Sequence, residues 1–549
     1  MSSTFFGLEV SRRALASQQA ALNITGHNIA NANTQGYTRQ VGNLTTTTPY
    51  TISVAGGKMS LGSGVTLETV TRARDAYVDR QFRGETSKQQ YWAGREDTLQ
   101  KIEGILNEPS DNSLHTDMDN FWNAWSDLSK NPENMGARSV VRERALTLTE
   151  SFHHIAQQVS DMRENLNSSI NVQIHQINSY GQQIKDLNDQ IKRSEVAGDN
   201  PNDLRDQRDL IVDQLSKLVS VRVVETKDPS FTDRNVNNFK VIIGNENSPE
   251  NNTLVDDSTV RFLEEPPPQK LINGHNSSLV VWSDDLNPVK KEVDLGSKVG
   301  MLAANIEIRD VDLPKFGDQF DKLAQGIASA VNALHQTGQG LTAETQTDSV
   351  VGPVGINFFT NGSNPATTNP PELPVITAST ITLNFIIEND LNRIATGTIP
   401  LNNETDPPTH AQDAEGNPLV TVGDGSIARA LSSLSGGWSA LKDLIASGKF
   451  GEIDGIPQNP VSGASFGDYY GSNVAQMGVD VQQAERMKAG QDVLVIHLSN
   501  QRESYSGVSL DEEMTNLVRF QKSYSAAARM VTMMDDMLDT IVNRMGLTR

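Results

Sequence analysis

Apolar residues recur every seven positions at both ends of this chain. Near the start, Leu8, Leu15, Leu22 and Ile29 form one line, with Ala14 and Ala21 beside it. That spacing predicts an amphipathic helix. Between Asn31 and Gly36, Asn, Thr and Gly supply the turn chemistry that ends it. Near the other end, Leu510, Leu517, Tyr524, Val531, Leu538 and Met545 repeat at the same interval, with Phe520, Ala527, Met534 and Ile541 at the companion core position. This predicts a coiled-coil helix running to the last turn. Ser509 and Glu512 have capping-box spacing, and the acids Asp511, Glu512 and Glu513 complement the dipole of the helix they open. Heptads alone do not separate a partner in the same molecule from a partner in another.

A third periodic stretch runs from Phe152 through Ile155, Val159, Met162 and Leu166, then from Ile170 through Ile177, Ile184 and Ile191, with a four-residue stutter between Leu166 and Ile170. It predicts one long, rod-like helix. Gly198, Asp199, Asn200 and Pro201 break it, and Leu204, Ile211, Leu215 and Leu218 predict a return helix, so the pair forms a helical hairpin. Helical patterning returns over 313–334 and more weakly over 427–445 and 474–498. Residues 226–294 and 341–422 change character. They are rich in Asn, Pro, Thr and Gly and carry short runs such as FKVIIG, SLVVWS and TITLNFII, which predict β modules. The fold class expected is α+β multidomain: terminal coiled-coil helices and a long helical bundle stalk with inserted β-rich domains. The expected units are an inner terminal helical domain (1–65 plus 505–549), a helical stalk (66–225, 295–340 and 423–504), and β-rich modules at 226–294 and 341–422.

Composition narrows the function. A chain of 549 residues exceeds what one hydrophobic core serves. With 36% hydrophobic and 5% aromatic residues, it suits long helices better than one large enzyme core. The formal net charge of -22 repels phosphate backbones and anionic lipid, which argues against nucleic acid as a partner. There are no cysteines, hence no disulfide, thiolate metal site or cysteine nucleophile. No apolar stretch approaches the roughly 20 residues of a membrane span, so membrane insertion is not expected. The first residues lack both a basic start and an unbroken apolar segment, so no cleaved signal peptide is expected.

Catalytic motifs are few and poorly placed. Gly463-Ala464-Ser465-Phe466-Gly467 fits the nucleophile elbow, but prolines precede it where a buried strand is required. Gly423-Asp424-Gly425-Ser426-Ile427-Ala428 fits a dinucleotide-binding turn, yet only helical sequence follows, so a turn and helix start is the better reading. His153 and His154 are adjacent on a helix and point apart, and no H-E-x-x-H pair occurs. No metal, cofactor or catalytic residue is assigned, and the chain is not expected to be an enzyme.

The two ends also carry a recognisable signature. Ser11 to Gln40 resembles the N-terminal helix and Asn-rich turn shared by the axial proteins of the bacterial flagellum, the family of rod, hook and junction subunits. The matching positions are Asn28, Asn31, Asn33, Gly36, Tyr37, Arg39 and Gln40, and the Gly-Tyr-Thr-Arg-Gln ending is similar to the junction type rather than the hook and rod type. At the C-terminus Asp511, Glu512, Glu513, Phe520, Gln521 and Tyr524 resemble the junction form, as does the internal run from Asn202 to Leu210. The resemblance implies a structural subunit joining hook to filament, with a hook or distal rod protein as the alternative. It further implies an inner domain of paired terminal helices, type III export without a cleaved signal, and a location in the extracellular flagellum. The partners implied are other copies of itself, the hook protein, a second junction protein, and an export chaperone at the C-terminal region. The assembly interface is expected at Leu8, Leu15, Leu22, Ile29, Leu510, Leu517, Phe520, Tyr524, Val531, Leu538 and Ile541. Terminal helices with open seams are expected to stay frayed until neighbouring subunits cover them.

Overall fold

The structure is a computed structural model. It describes residues 5–54, 57–106, 110, 113–232, 234–245, 252–265, 270–272, 275–277, 279–284, 292–341, 356–362, 375–398, 401–402, 409–410, 423–446 and 465–540. The chain opens with α1 (Phe6–Asn31), followed by strands β1 (Gln40–Thr46), β2 (Tyr50–Val54), β3 (Gly57–Leu61) and β4 (Val65–Arg72). Helices α2 (Ala76–Leu106), α3 (Leu114–Lys130), α4 (Met135–Ala197) and α5 (Asn202–Leu218) come next. Strands β5 (Val221–Lys227), β6 (Asn237–Ile243), β7 (Thr253–Asp256) and β8 (Thr259–Val260) form an antiparallel sheet in that order. After them, α6 (Met301–Glu307) runs through a π-helical turn at Ile308–Asp312 into α7 (Leu313–His335). The remaining helices are α8 (Phe385–Asn389), α9 (Ser426–Ser433), α10 (Trp438–Ala446), α11 (Phe466–Ser506) and α12 (Leu510–Asp539). Long helices with small antiparallel sheets make the molecule an α+β multidomain protein with a helical stalk.

The predicted rod and its return form as α4 and α5. Gly198 takes φ +91, and its N–H and that of Asp199 return to the carbonyls of Glu195 and Ser194, closing α4 with a left-handed cap. Asn134 opens α4 by accepting from the N–H groups of Gly136 and Ala137. Along its first half α4 buries Val141, Leu148, Phe152 and Ile155 in the main core with α2, α3 and α7, where Phe121, Trp125, Phe358 and Phe359 meet in tilted and edge-on contacts. Along its second half Ile170, Ile174, Ile177 and Ile184 join α5 and the sheet through Val212, Leu215, Phe239, Val241 and Leu254. One helix therefore serves two cores in turn, and the stutter separates them.

Several features escape the spacing, α3 and α6 among them, and three show why. The first is α2, which spreads Trp92, Leu99, Ile102 and Leu106 among many charged and amide residues, so its buried line is diluted. A second is the run TITLNFII, which splits into a two-residue strand at Thr382–Leu383 and the short helix α8; Asn384 caps α8 and leaves Phe385 74% exposed. The third is residues 40–72, which form an antiparallel ribbon, β1 with β4 and β2 with β3, lying along α1.

Candidate assembly interface

The first and last described helices meet as an antiparallel pair, α1 against α12. At one end an ideal Cβ on Gly7 would stand 2.6 Å from Met534 Cε, and at the other the Asn28 amide donates to Glu513 Oε2 at 3.2 Å. Gly7, Ala14, Ala21 and Asn28 are spaced by seven, as are Glu513, Phe520, Ala527 and Met534. Because the helices run in opposite directions, the two lines oppose each other, Gly7 and Ala21 falling in register with Met534 and Phe520 and Ala14 with Ala527. The line of Leu8, Leu15, Leu22 and Ile29 lies next to this contact and is only half-buried, whereas the buried residues of α1 are Ser11, Ser17, Ala21, Thr25 and Asn28.

On α12 the predicted seam is likewise incompletely covered. Leu517, Phe520, Tyr524, Val531 and Leu538 are half-buried, Leu510 is exposed, and Ile541 lies outside the described residues. Met514, Val518, Met530, Met533 and Met537 also stand in solvent. The terminal helices are thus formed and paired within one chain rather than frayed. Their pairing still leaves much of the apolar surface uncovered.

The turn after α1 joins this pair to the hairpin. Gly36 sits at φ +81, where a Cβ would press on Leu210 of α5 at 3.2 Å, so close approach and backbone handedness both select glycine. The Tyr37 hydroxyl donates to Asn28 Oδ1 at 2.7 Å and receives the His27 Nδ1 proton at 3.0 Å. Burial, with Asp203, Asp206 and Glu513 nearby, pushes the Tyr37 phenol well above its ordinary range, so it stays a donor. Asn28 is saturated: it also accepts from Gln40 N and donates to Gln40 O, each at 2.9 Å. Arg39 reaches Glu513 Oε1 at 2.8 Å and Glu512 Oε2 at 3.0 Å, and its N–H donates to Ser506 O at the end of α11. The Gln40 amide donates to Asp203 at 2.7 Å. Ser509 caps α12 by accepting from Glu512 N. Of the other signature residues, Asn31 folds back on the His27 carbonyl, while Asn33, Asp511 and Gln521 are exposed.

Beneath this turn lies a buried ion cluster. Thr38 donates through both N and Oγ1 to Asp206. Arg72 bridges Asp206 and Asp209 at 2.8 Å each, Arg74 reaches Asp209 at 2.8 Å, and Arg83 holds Asp213 at 2.6 Å. Arg502 from α11 reaches Asp213 at 2.7 Å. Burial pushes the Asp209 carboxyl up, but Arg74, Arg83, Arg72 and Arg208 outweigh it and hold it below the usual carboxylate range. Burial lowers Arg208 to about 10 against the pull of Asp209 and Glu225. Five stretches of chain converge here: the 36–40 turn, β4, α2, α5 and α11. The run from Asn202 to Leu210 carries both the family signature and the start of the predicted return helix. The acids at 206, 209 and 213 of α5, spaced three and four apart, mark one charged helical face, but nothing in that spacing names the arginines that meet it.

Between α1, β1 and α12 the same region encloses a groove of about 580 Å³, lined by Ala21, Ile24, Arg39, Val41, Asn516 and Phe520 among others. Its walls carry no catalytic constellation. Among the described residues no group of His, Cys, Asp or Glu could hold a metal ion. No described helix is long and apolar enough to cross a membrane. Ser465 is the N-cap of α11, accepting from Asp468 N at 2.9 Å, and Asp424 accepts from Ser426 and Thr398 at the start of α9. Both motif matches are therefore helix starts.

A chain whose first and last described helices pair with half-covered seams, pinned by charge to a long stalk, has the build of a structural subunit. Comparison with known proteins places it more narrowly. Residues 99–350 match the helical domain of the flagellar hook-associated protein FlgK, residues 8–38 the flagella basal body rod protein family, and residues 500–545 the flagellar basal body rod FlgEFG protein C-terminal family. The chain is 30% identical to flagellar hook-associated protein 1 of Bacillus subtilis (strain 168), over 100% of this chain and 99% of that protein. It is 29% identical to the protein of that name in Escherichia coli (strain K12), over 96% and 98%. The structure of the flagellar hook junction protein FlgK from Burkholderia pseudomallei shares the fold, with TM-score 0.56 and 16% identity, covering 78% of this chain and 100% of that one. The chain belongs to the flagellar hook-associated protein 1 family, structural proteins of the bacterial flagellum.

Proposed function

We propose that this protein is a structural subunit of the junction between hook and filament, assembling through its paired terminal helices. The observation that carries the reading is the open seam on α1 and α12: Leu8, Leu15, Leu22, Leu517, Tyr524 and Val531 stay half-buried in one chain, and neighbouring subunits would cover the rest. Head-to-tail contacts of this kind give a ring or an open helix, according to whether the rotation closes. The partners are further copies of itself, the hook protein on one side and a second junction protein on the other. Family likeness supports export through the type III channel without a cleaved signal to an extracellular site, with a chaperone held at the C-terminal region beforehand. A role without catalysis is supported by the placement of both the serine and the dinucleotide-like motifs at helix starts. Four units suit this role: an inner terminal pair, the helical stalk, and two β-rich modules at 226–294 and 341–422.

Electron microscopy of cells lacking the gene, with flagellin assayed in the medium, tests the proposal. Hooks without filaments and flagellin lost to the medium are the expected result. Loss of the hooks as well would move the protein to the rod or hook, and normal filaments would defeat the reading.

A further inference from the structure

Glu513 breaks an otherwise apolar line. It occupies the heptad position shared by Phe520, Ala527, Met534 and Ile541, yet it is 2% exposed. A buried carboxylate in a coiled-coil seam destabilises any pairing that leaves it without donors, and favours a pairing that supplies them. Against α1 it has them: Arg39 Nε at 2.8 Å and Asn28 Nδ2 at 3.2 Å. Asn28 stands opposite because it continues the line of Gly7, Ala14 and Ala21, and its remaining bonding capacity is taken up by Tyr37 and Gln40.

The competing arrangement is α12 against α12 of a second copy. The line is nearly self-complementary when two such helices run antiparallel about Ala527: Phe520 of each then faces Met534 of the other, and Ala527 faces Ala527. The same register carries Glu513 of each helix a heptad beyond the other's Met534, away from the Asn28 and Arg39 donors that it has against α1. With its flanking methionines exposed, α12 has the apolar surface for such a dimer and one residue that opposes it.

We infer that Glu513 is the residue that sets partner choice at α12, accepting α1 through Asn28 and Arg39 and rejecting a second α12. The inference goes beyond the junction role and does not depend on it, because it is read on the soluble chain. The chain lacks cysteine, so a single Ala527→Cys reporter in the full-length protein detects the homotypic pair by oxidative cross-linking. In the otherwise unaltered chain the reporter should stay uncross-linked and sedimentation should give the monomer. Glu513→Leu should shift the protein to a dimer and cross-link it at position 527. Glu513→Ala, which adds no bulk, should give the same shift more weakly, and it carries the test if circular dichroism shows that the leucine variant has lost helix. Arg39→Ala loosens the same joint but keeps the buried carboxylate, so it should remain monomeric. A monomeric, uncross-linked Glu513→Leu that retains its helix would overturn the inference. So would an Arg39→Ala protein that dimerises as fully, because the effect would then be simple loosening.

Discussion

The stalk core and the terminal helix pair are both helical packings, yet they close to different degrees. In the stalk, Phe121, Trp125, Leu128, Val141 and Phe358 have no exposure at all, and aromatic rings from α3 and the 356–360 segment interlock. In the terminal pair the buried residues of α1 are small or polar, that of α12 is Glu513, and the leucines are half-buried or, at Leu510, exposed. Apolar area removed from water is the main favourable term in folding. The stalk has collected it within one chain, and the terminal pair has left much of it in solvent, which in the proposed junction role neighbouring subunits would cover. Under that proposal, folding and assembly fall to different residues of the same molecule.

The largest expected effect breaks this contrast from the stalk side. Trp125→Ala removes a fully buried ring at the meeting point of α3, Phe358 and His335, and should cost about 3–5 kcal/mol of stability. Thermal unfolding followed by circular dichroism should show a melting temperature lowered by several degrees or more. Leu517→Asp addresses the other side. It should cost about 2–5 kcal/mol at each assembled contact while leaving the isolated protein folded and soluble. Motility complementation together with the melting curve separates the two: equal losses of stability in both variants would erase the distinction, and a Leu517→Asp chain that restores motility would remove the seam from the interface.

Much of this was legible beforehand, for a physical reason. The hairpin at 198–201 was readable because Gly198 must take a left-handed cap and Pro201 disfavours a continuous helix, and both constraints are local. The Ser509 cap was readable on the same grounds. The buried ion cluster was not, because Arg72, Arg74, Arg83 and Asp209 come from three segments and sequence spacing does not bring them together. Nor was the line by which α1 meets α12 within the chain: Gly7 stands against Met534 and Asn28 against Glu513, with the leucine line beside that contact.

Acid sharpens the comparison between the stalk and the joint. His335 is buried and neutral: its Nε2 accepts from Ala395 N, so Nδ1 carries the proton and donates to the Ile356 carbonyl, each at 2.9 Å. Burial lowers its pKa to about 4, the Ile356 hydrogen bond opposes this, and Arg138 lowers it further. A histidine whose folded pKa is depressed contributes stability that is full above its unfolded value of 6.5 and falls as pH drops toward about 4. Across that window the stalk should lose about 3 kcal/mol. The joint should hold, because Asp209 stays ionised until pH falls below the ordinary carboxylate range. Hydrogen exchange at pH 5 should accordingly show α7 and the 392–396 segment opening before the α5 amides. Opening of α5 first would reverse the assignment.

The smallest effect separates two glycines that share a backbone conformation. Gly198 at the tip of the hairpin has φ +91 with nothing within 4 Å of an added Cβ, so Gly198→Ala meets only the left-handed backbone penalty, about 1 kcal/mol. Gly36 at the joint has φ +81, but its added Cβ would stand 3.2 Å from both Cβ and Cδ2 of Leu210. Gly36→Ala should therefore cost more than Gly198→Ala, the excess measuring how tightly the 36–40 turn is seated on α5. Paired denaturant melts read that excess directly. Equal costs would mean that Leu210 yields freely, and the joint would then be held by its charges alone rather than by charge and close packing together.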